Sequence, residues 1–261
     1  MNTTLRNGNL CIERFVVNMI EENTYLLFDA HTRDAVLIDC GARSEEEHAA
    51  IAERIEALNL HLTAQWNTHG HFDHIWGTQW ATEKFGAPLV IASDELPTLE
   101  AASRQAALFL HRDLGVEVPQ AARTVSHGDT LSCGNHVFQV LATPGHTPGG
   151  ICFYCAEEKV LLSGDSLFLE SIGRCDLPGG DGPLLVKSLQ ERILSLPPDT
   201  EVLPGHGPTT TIDHERRFNP YVRRSSGRSL SAKSHRSCRF RRRLATAGGQ
   251  SRHCFLSNGV F

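Results

Sequence analysis

The chain has 261 residues, of which 40% are hydrophobic and 21% charged, a net charge of −5 and eight cysteines. That is long enough to bury a full core, too apolar for a charge-driven disordered chain, and too poor in cysteine for a disulfide scaffold. The opening MNTTLRNGNLCIERFVV has no apolar run before a small-residue cleavage site, and no window approaches eighteen uninterrupted apolar residues, so a cytoplasmic protein without membrane association is expected.

In chain order, residues 12–18 (IERFVVN) and 24–29 (TYLLFD) read as strands, with EEN at 21–23 as the turn between them. AVLIDCG (35–41) is a short apolar strand ending at Asp39. SEEEHAAIAERIEALNL (44–60) is a helix: Ser44 and Glu47 make a capping box, and Ile51, Ile55 and Leu58 recur at helical spacing. LTAQWNT (62–68) is a strand, 76–85 a helix, PLVIA (88–92) a strand, and 94–118 a mixture of helical fragments and loop.

The second half adds strands at 136–143, 150–155 and 159–165, an amphipathic helix at 183–196, and a strand and loop at 201–208. Cys152 and Cys155 have the spacing of a metal or redox pair. On a strand, however, side chains three apart face opposite ways, so buried reduced thiols are expected. Two runs of strands, each followed by helix, predict two sheets face to face with helices outside.

Four of these strands end in residues that prefer water or a partner. The strand at 62–68 runs into His69, His71, Asp73 and His74; TPGHTPGG supplies His146, SGDS supplies Asp165, and PGHGP supplies His206. Loops at strand ends, held by a rigid sheet, are where sites are built. Five imidazoles and two carboxylates equal the donors of two metals with three ligands each and one shared carboxylate. Zinc suits that set first, with iron and manganese as alternatives. His69 and His71 can face one metal while Asp73 and His74 face another about 3.5–4 Å away. A lone histidine is more often an ordinary hydrogen-bonded residue, so His31, His48, His61, His111, His127, His136 and His214 are given no metal role. Asp39 is a candidate to orient a ligand histidine, although strand-end aspartates also serve simple turns.

THGHFDH, TPGHTPGG, LLSGDSLF and LPGHGP, in that order, resemble the motifs of the metallo-β-lactamase superfamily over about residues 12–222. EENTYLLFD, SIGRCDLPGGD and NPYV are similar to a small bacterial branch related to glyoxalase II. The resemblance implies a four-layer αββα sandwich with the metal site along one edge of the two sheets. It implies one metal on His69, His71 and His146, a second on Asp73, His74 and His206, and Asp165 between them. It further implies a metal-dependent hydrolase that cleaves a small thioester of the S-lactoylglutathione kind by a metal-bridging hydroxide, with Asp73 and Asp165 as the catalytic carboxylates.

A β-lactamase of the commonest type would have cysteine at Asp165, whereas lactonases of the superfamily share the ligand set. Persulfide dioxygenases of the superfamily use one iron, on the residues matching His69, His146 and Asp165. The C-terminal helical domain with which full-length glyoxalase II enzymes grip glutathione is not expected in this sequence. Arg174 in the loop 171–182 is therefore the candidate for binding a substrate carboxylate, with a salt bridge to Asp176 or Asp181 as the alternative.

Charge divides the chain near its end. Residues 223–261 hold ten of the 25 Lys/Arg and no acid, leaving residues 1–222 with 15 basic against 30 acidic side chains. The expected organisation is one domain over 1–222 and a disordered basic tail over 223–261, read as a frameshift or lost-stop product in preference to a nucleic-acid-binding arm.

Overall fold

The computed structural model describes residues 9–112 and 115–223, and the backbone of 3–5. Apart from Arg223, the expected basic tail lies outside the described residues. β1 (Thr3–Leu5), β2 (Leu10–Val17), β3 (Glu22–Asp29) and β4 (Asp34–Ile38) form an antiparallel meander. After α1 (Glu45–Ala57) the chain returns as β5 (His61–Trp66), parallel to β4. α2 (Phe72–Ile75) and α3 (Thr78–Phe85) lead to β6 (Leu89–Ala92), and α4 (Leu96–Glu100) and α5 (Ala102–Leu110) to β7 (Ala121–Val125). β5, β6 and β7 are parallel neighbours, which completes a seven-stranded sheet.

The second sheet has six strands in the order β15-β14-β11-β10-β9-β8. Its strands are β8 (Thr130–Cys133), β9 (His136–Ala142), β10 (Ile151–Cys155), β11 (Val160–Gly164), β14 (Glu201–Pro204) and β15 (Thr210–Thr211). Between β11 and β14 lie the hairpin β12 (Leu167–Phe168) and β13 (Ser171–Ile172), and α6 (Gly182–Ser188); α7 (Ile212–Phe218) follows β15. Among the described residues, no helix is long and apolar enough to cross a membrane.

Alternation along the strands sorts the apolar side chains into layers. Leu10, Ile12, Leu27, Val36, Ile38 and Trp66 of the first sheet meet Phe138, Val140, Phe153 and Leu162 of the second in one core. Their neighbours Cys11, Leu26 and Leu37 face outward onto Ile51 and Ile55 of α1. On the far side, Tyr154 and Leu161 pack against Leu185 of α6 and Ile212 of α7. This is the expected αββα sandwich. Cys152 and Cys155 face opposite layers, one toward the helices and one toward the inter-sheet core, both buried and free.

Three local expectations need correction. The first hairpin turns at Asn18–Glu21 and not at 21–23, because Asn18 and Glu21 adopt the left-handed conformation (φ 54° and 59°) and the Asn18 Oδ1 accepts the Ile20 N–H. Glu22 and Asn23 thereby become the buried start of β3. The helix expected over 76–85 starts two residues late, at Thr78, since the Gly77 N–H donates to the Cys40 carbonyl outside any helix; the short α2 that precedes it was not expected. The helix expected over 183–196 ends its regular turns at Ser188 and widens into a π turn over Leu189–Ile193, where the Leu194 N–H reaches back to the Leu189 carbonyl. The capping box on α1 is present in both directions.

Phe153 is fully buried, 5.6 Å from Trp66 between ring centroids. Phe153→Ala is expected to cost about 3–5 kcal/mol of stability by opening a cavity between the sheets, measured by urea denaturation.

Candidate metal centre

The site stands where strands of both sheets stop. β4 and β5 are parallel neighbours, so Asp39 and Thr68 emerge side by side just beyond their ends. The Asp39 carboxylate accepts the Thr68 N–H and the Thr68 hydroxyl, each at 2.7 Å. Having donated its proton to Asp39, the Thr68 oxygen accepts from His69 Nδ1 at 3.0 Å. The same Asp39 Oδ2 lies 3.1 Å from His74 Nδ1. One buried carboxylate thus turns two imidazoles so that their Nε2 atoms point inward. Both Nε2 atoms are buried without a hydrogen-bond partner.

His146, in the loop between β9 and β10, donates from Nδ1 to the Arg174 carbonyl at 2.7 Å, which leaves its Nε2 as the lone pair. That Nε2 lies 3.0 Å from His71 Nδ1. Asp165 follows β11, and its Oδ2 is 3.6 Å from His146 Nε2 and 3.7 Å from His206 Nε2. Its Oδ1 is 3.4 Å from His74 Nε2 and has no hydrogen-bond partner. Asp73 Oδ2 is 3.3 Å from His206 Nε2 and 3.6 Å from His74 Nε2. All seven residues expected at the strand ends are therefore within one cluster, six of them buried and His206 partly so.

Donor atoms of His69, His71 and His146 gather in one group and those of Asp73, His74 and His206 in another, each within 4.8 Å. Asp39, His69 and His74 form a third such group, but there the Asp39 oxygens already accept hydrogen bonds from Thr68 and His74, so it is a support and not a pocket. Orphaned imidazole lone pairs beside an orphaned carboxylate oxygen suit a divalent cation.

The electrostatics agree. Burial, and then the neighbouring imidazoles, push His69 well below the usual histidine range and His71 down to about 3, so both keep their lone pairs. Burial alone would raise the Asp165 carboxyl, but His206 and His74 hold it well below the carboxylate range. His74 runs the other way: burial lowers it, yet Asp165 and Asp73 outweigh burial and raise it well above the ordinary value. Without a cation, the cluster balances two carboxylates with protons on imidazole.

Among the described residues, the histidines given no metal role stay outside this cluster. His48 stacks on Trp80, His61 faces Asp34, His214 faces Glu170, and His136 is buried near Asp29 and Glu158. The residue-family model that matches residues 20–206 is described as the metallo-beta-lactamase superfamily. The chain belongs to that superfamily.

Membership places it among metal-dependent hydrolases. A relative in Haemophilus influenzae, hydroxyacylglutathione hydrolase GloC, is 34% identical over 82% of this chain and 99% of its own. Among solved structures, the BLEG-1 B3 metallo-beta-lactamase is 34% identical with a TM-score of 0.74, covering 81% of this chain and 99% of that one. TTHA1623 in a di-iron-bound form is 37% identical with a TM-score of 0.69, covering 80% and 99%.

Several supports of the site escaped the sequence reading. Asn23 ties β3 to the His206 loop: its N–H donates to the Gly205 carbonyl, and its side-chain amide to Pro204 and Gly207. Glu22, fully buried, lies 3.8 Å from His74 Nδ1. The available signal was a polar EN pair opening a strand in which every residue is buried. The Arg174 carbonyl touches the site through His146. The guanidinium makes a two-pronged bond to Asp176 at 2.8 and 2.9 Å, and Asp181 instead caps α6.

Metal on Asp73, His74 and His206 competes with the protons that the two raised imidazoles bind, so retention there is expected to fall as pH drops from about 7 to 5, while His69, His71 and His146, all lowered, hold metal to lower pH. Metal content after dialysis across that range checks this; loss of all metal in one step between about pH 7 and 5 would count against it.

Proposed function

We propose that the chain hydrolyses a small thioester, of the S-lactoylglutathione class, at a centre of two divalent ions. His69, His71 and His146 hold one ion, and Asp73, His74 and His206 the other. Zinc is the first candidate, with iron or manganese as alternatives. The observation that carries this reading is Asp165, whose Oδ2 lies 3.6 Å from a histidine of one triad and 3.7 Å from a histidine of the other. A carboxylate so placed is the shared ligand of a pair. The likeness to hydroxyacylglutathione hydrolase GloC supports the substrate class, and the di-iron form of TTHA1623 supports the number of ions.

When bound, such a pair supplies a water that ionises near neutral pH and draws charge from a substrate carbonyl. The chain's own part is to hold that geometry. Asp39, through Thr68 and directly, keeps His69 and His74 turned inward; the Arg174 carbonyl does the same for His146. The Asn18 side-chain amide donates to the Asp73 and Gly41 carbonyls and pins the Asp73 backbone.

A thioester suits this arrangement for a chemical reason. Asp39, Asp73, Asp165 and Glu22 all face imidazoles of the cluster, so none is free to protonate a leaving group. A thiol with a pKa of about 8.5 leaves as thiolate without that help, whereas an amine does not. Arg174 serves the substrate only by giving up Asp176, so its part is in affinity more than in turnover. The proposal assigns the chemistry to residues 1–222 and none to 223–261.

Metal-loaded protein should be assayed against S-lactoylglutathione, a lactone, a β-lactam and, with oxygen uptake, glutathione persulfide. Thioester turnover is expected. Asp165→Asn should lower kcat by roughly a hundredfold or more, and Arg174→Ala should mainly raise KM. Turnover confined to lactones or β-lactams, or a single iron with oxygen consumption, overturns the assignment.

A further inference from the structure

The segment between β6 and α5 carries no residue of the cluster, yet it presses on two of the loops that do. Glu95 is fully buried there. Its Oε2 accepts the Gly70 N–H at 2.8 Å and its Oε1 accepts the Gly149 N–H at 2.7 Å. Gly70 is the residue between His69 and His71; Gly149 follows His146 by three positions.

The approach leaves no room for side chains. A Cβ on Gly70 would lie 2.6 Å from the Leu99 backbone nitrogen, and one on Gly149 would lie 2.6 Å from that of Glu95 itself. Burial raises the Glu95 carboxyl, and the Thr147 side chain, then the Gly70 and Gly149 amides, partly offset that. A buried carboxylate is costly to keep unless it holds something in place. What these bonds hold is the pair of loops bearing His69, His71 and His146.

We infer that Glu95 is a positioning residue of the metal centre, a strap whose single carboxylate fixes the His69–His71 loop against the His146 loop. The inference rests on the reading of those three histidines as one metal pocket. It is selective: neither of these bonds reaches Asp73, His74 or His206. A fault in the strap should therefore loosen one pocket and spare the other.

The test compares full-length wild type with Glu95→Gln and Glu95→Asp. Glutamine keeps the shape but offers one oxygen to two N–H donors and turns an NH2 on the other. Aspartate keeps both oxygens on a shorter arm, and covers the case in which the glutamine variant fails to fold. Metal-free proteins are titrated with Co2+, followed by calorimetry and visible absorption, and amide exchange at Gly70 and Gly149 is measured before metal is added.

Wild type is expected to show two sites. Glu95→Gln should weaken one of them by about tenfold or more, leave the other unchanged, and speed exchange at both glycines, with Glu95→Asp intermediate. Two sites of unaltered affinity, or equal weakening of both in step with a lower Tm, overturn the strap. Wild type that takes up no Co2+ overturns the two-metal reading instead, and exchange at the two glycines then still decides whether the carboxylate ties the loops.

Discussion

Five imidazoles and two carboxylates share one nearly dry volume, and much of the fold around it serves to make that arrangement affordable. The Nε2 atoms of His69 and His74 and the Oδ1 of Asp165 have no hydrogen-bond partner, and each orphaned group buried away from water costs roughly 1–3 kcal/mol. The cluster is held because the opposite edges of three of the five rings are committed. Asp39 and Thr68 take the Nδ1 sides of His74 and His69, and the Arg174 carbonyl takes that of His146. What is left free faces one point. A cation there turns the largest liability of the structure into its organising bond.

The same constraint explains why the two sheets stop where they do. β4, β5 and β11 end at the residues that build the site, and the β3 start reaches across to the second sheet through Asn23 and the Tyr25 hydroxyl, which donates to the Pro204 carbonyl. The His206 loop is thereby anchored to the opposite layer. Trp66, one position before Asn67 on the site strand, is locked between Phe138 and Phe153. Core packing and ligand placement are joined in that strand, since a shift of Trp66 would move His69 with it.

The parts legible in the sequence are those with short-range signals. Clustered His and Asp at four strand ends, the Ser44–Glu47 box and the two-residue alternation all act within a few positions. What escaped depends on contacts between distant segments. Glu22 falls in an expected turn and Glu95 in a stretch of helical fragments and loop, because nothing nearby in sequence says that His74 or the Gly70 and Gly149 amides will be waiting. The hairpin at 18–21 was misplaced because Asn18 and Glu21 take left-handed conformations, a choice settled in part by the Asn18 side chain bonding to Gly41 and Asp73. The later helix start at Thr78 likewise follows from the Gly77 bond to Cys40, just beyond the end of β4. Arg174 adds a contact that its charge did not announce, since its backbone carbonyl accepts from His146.

The central claim is that Asp165 stands between two cations, and anomalous diffraction from crystals of the metal-loaded protein tests it most directly. The account expects two peaks about 3.5–4 Å apart, one beside His69, His71 and His146, the other beside Asp73, His74 and His206, with the Asp165 carboxylate between them. A single peak on His69, His146 and Asp165, or none at the cluster, would contradict it.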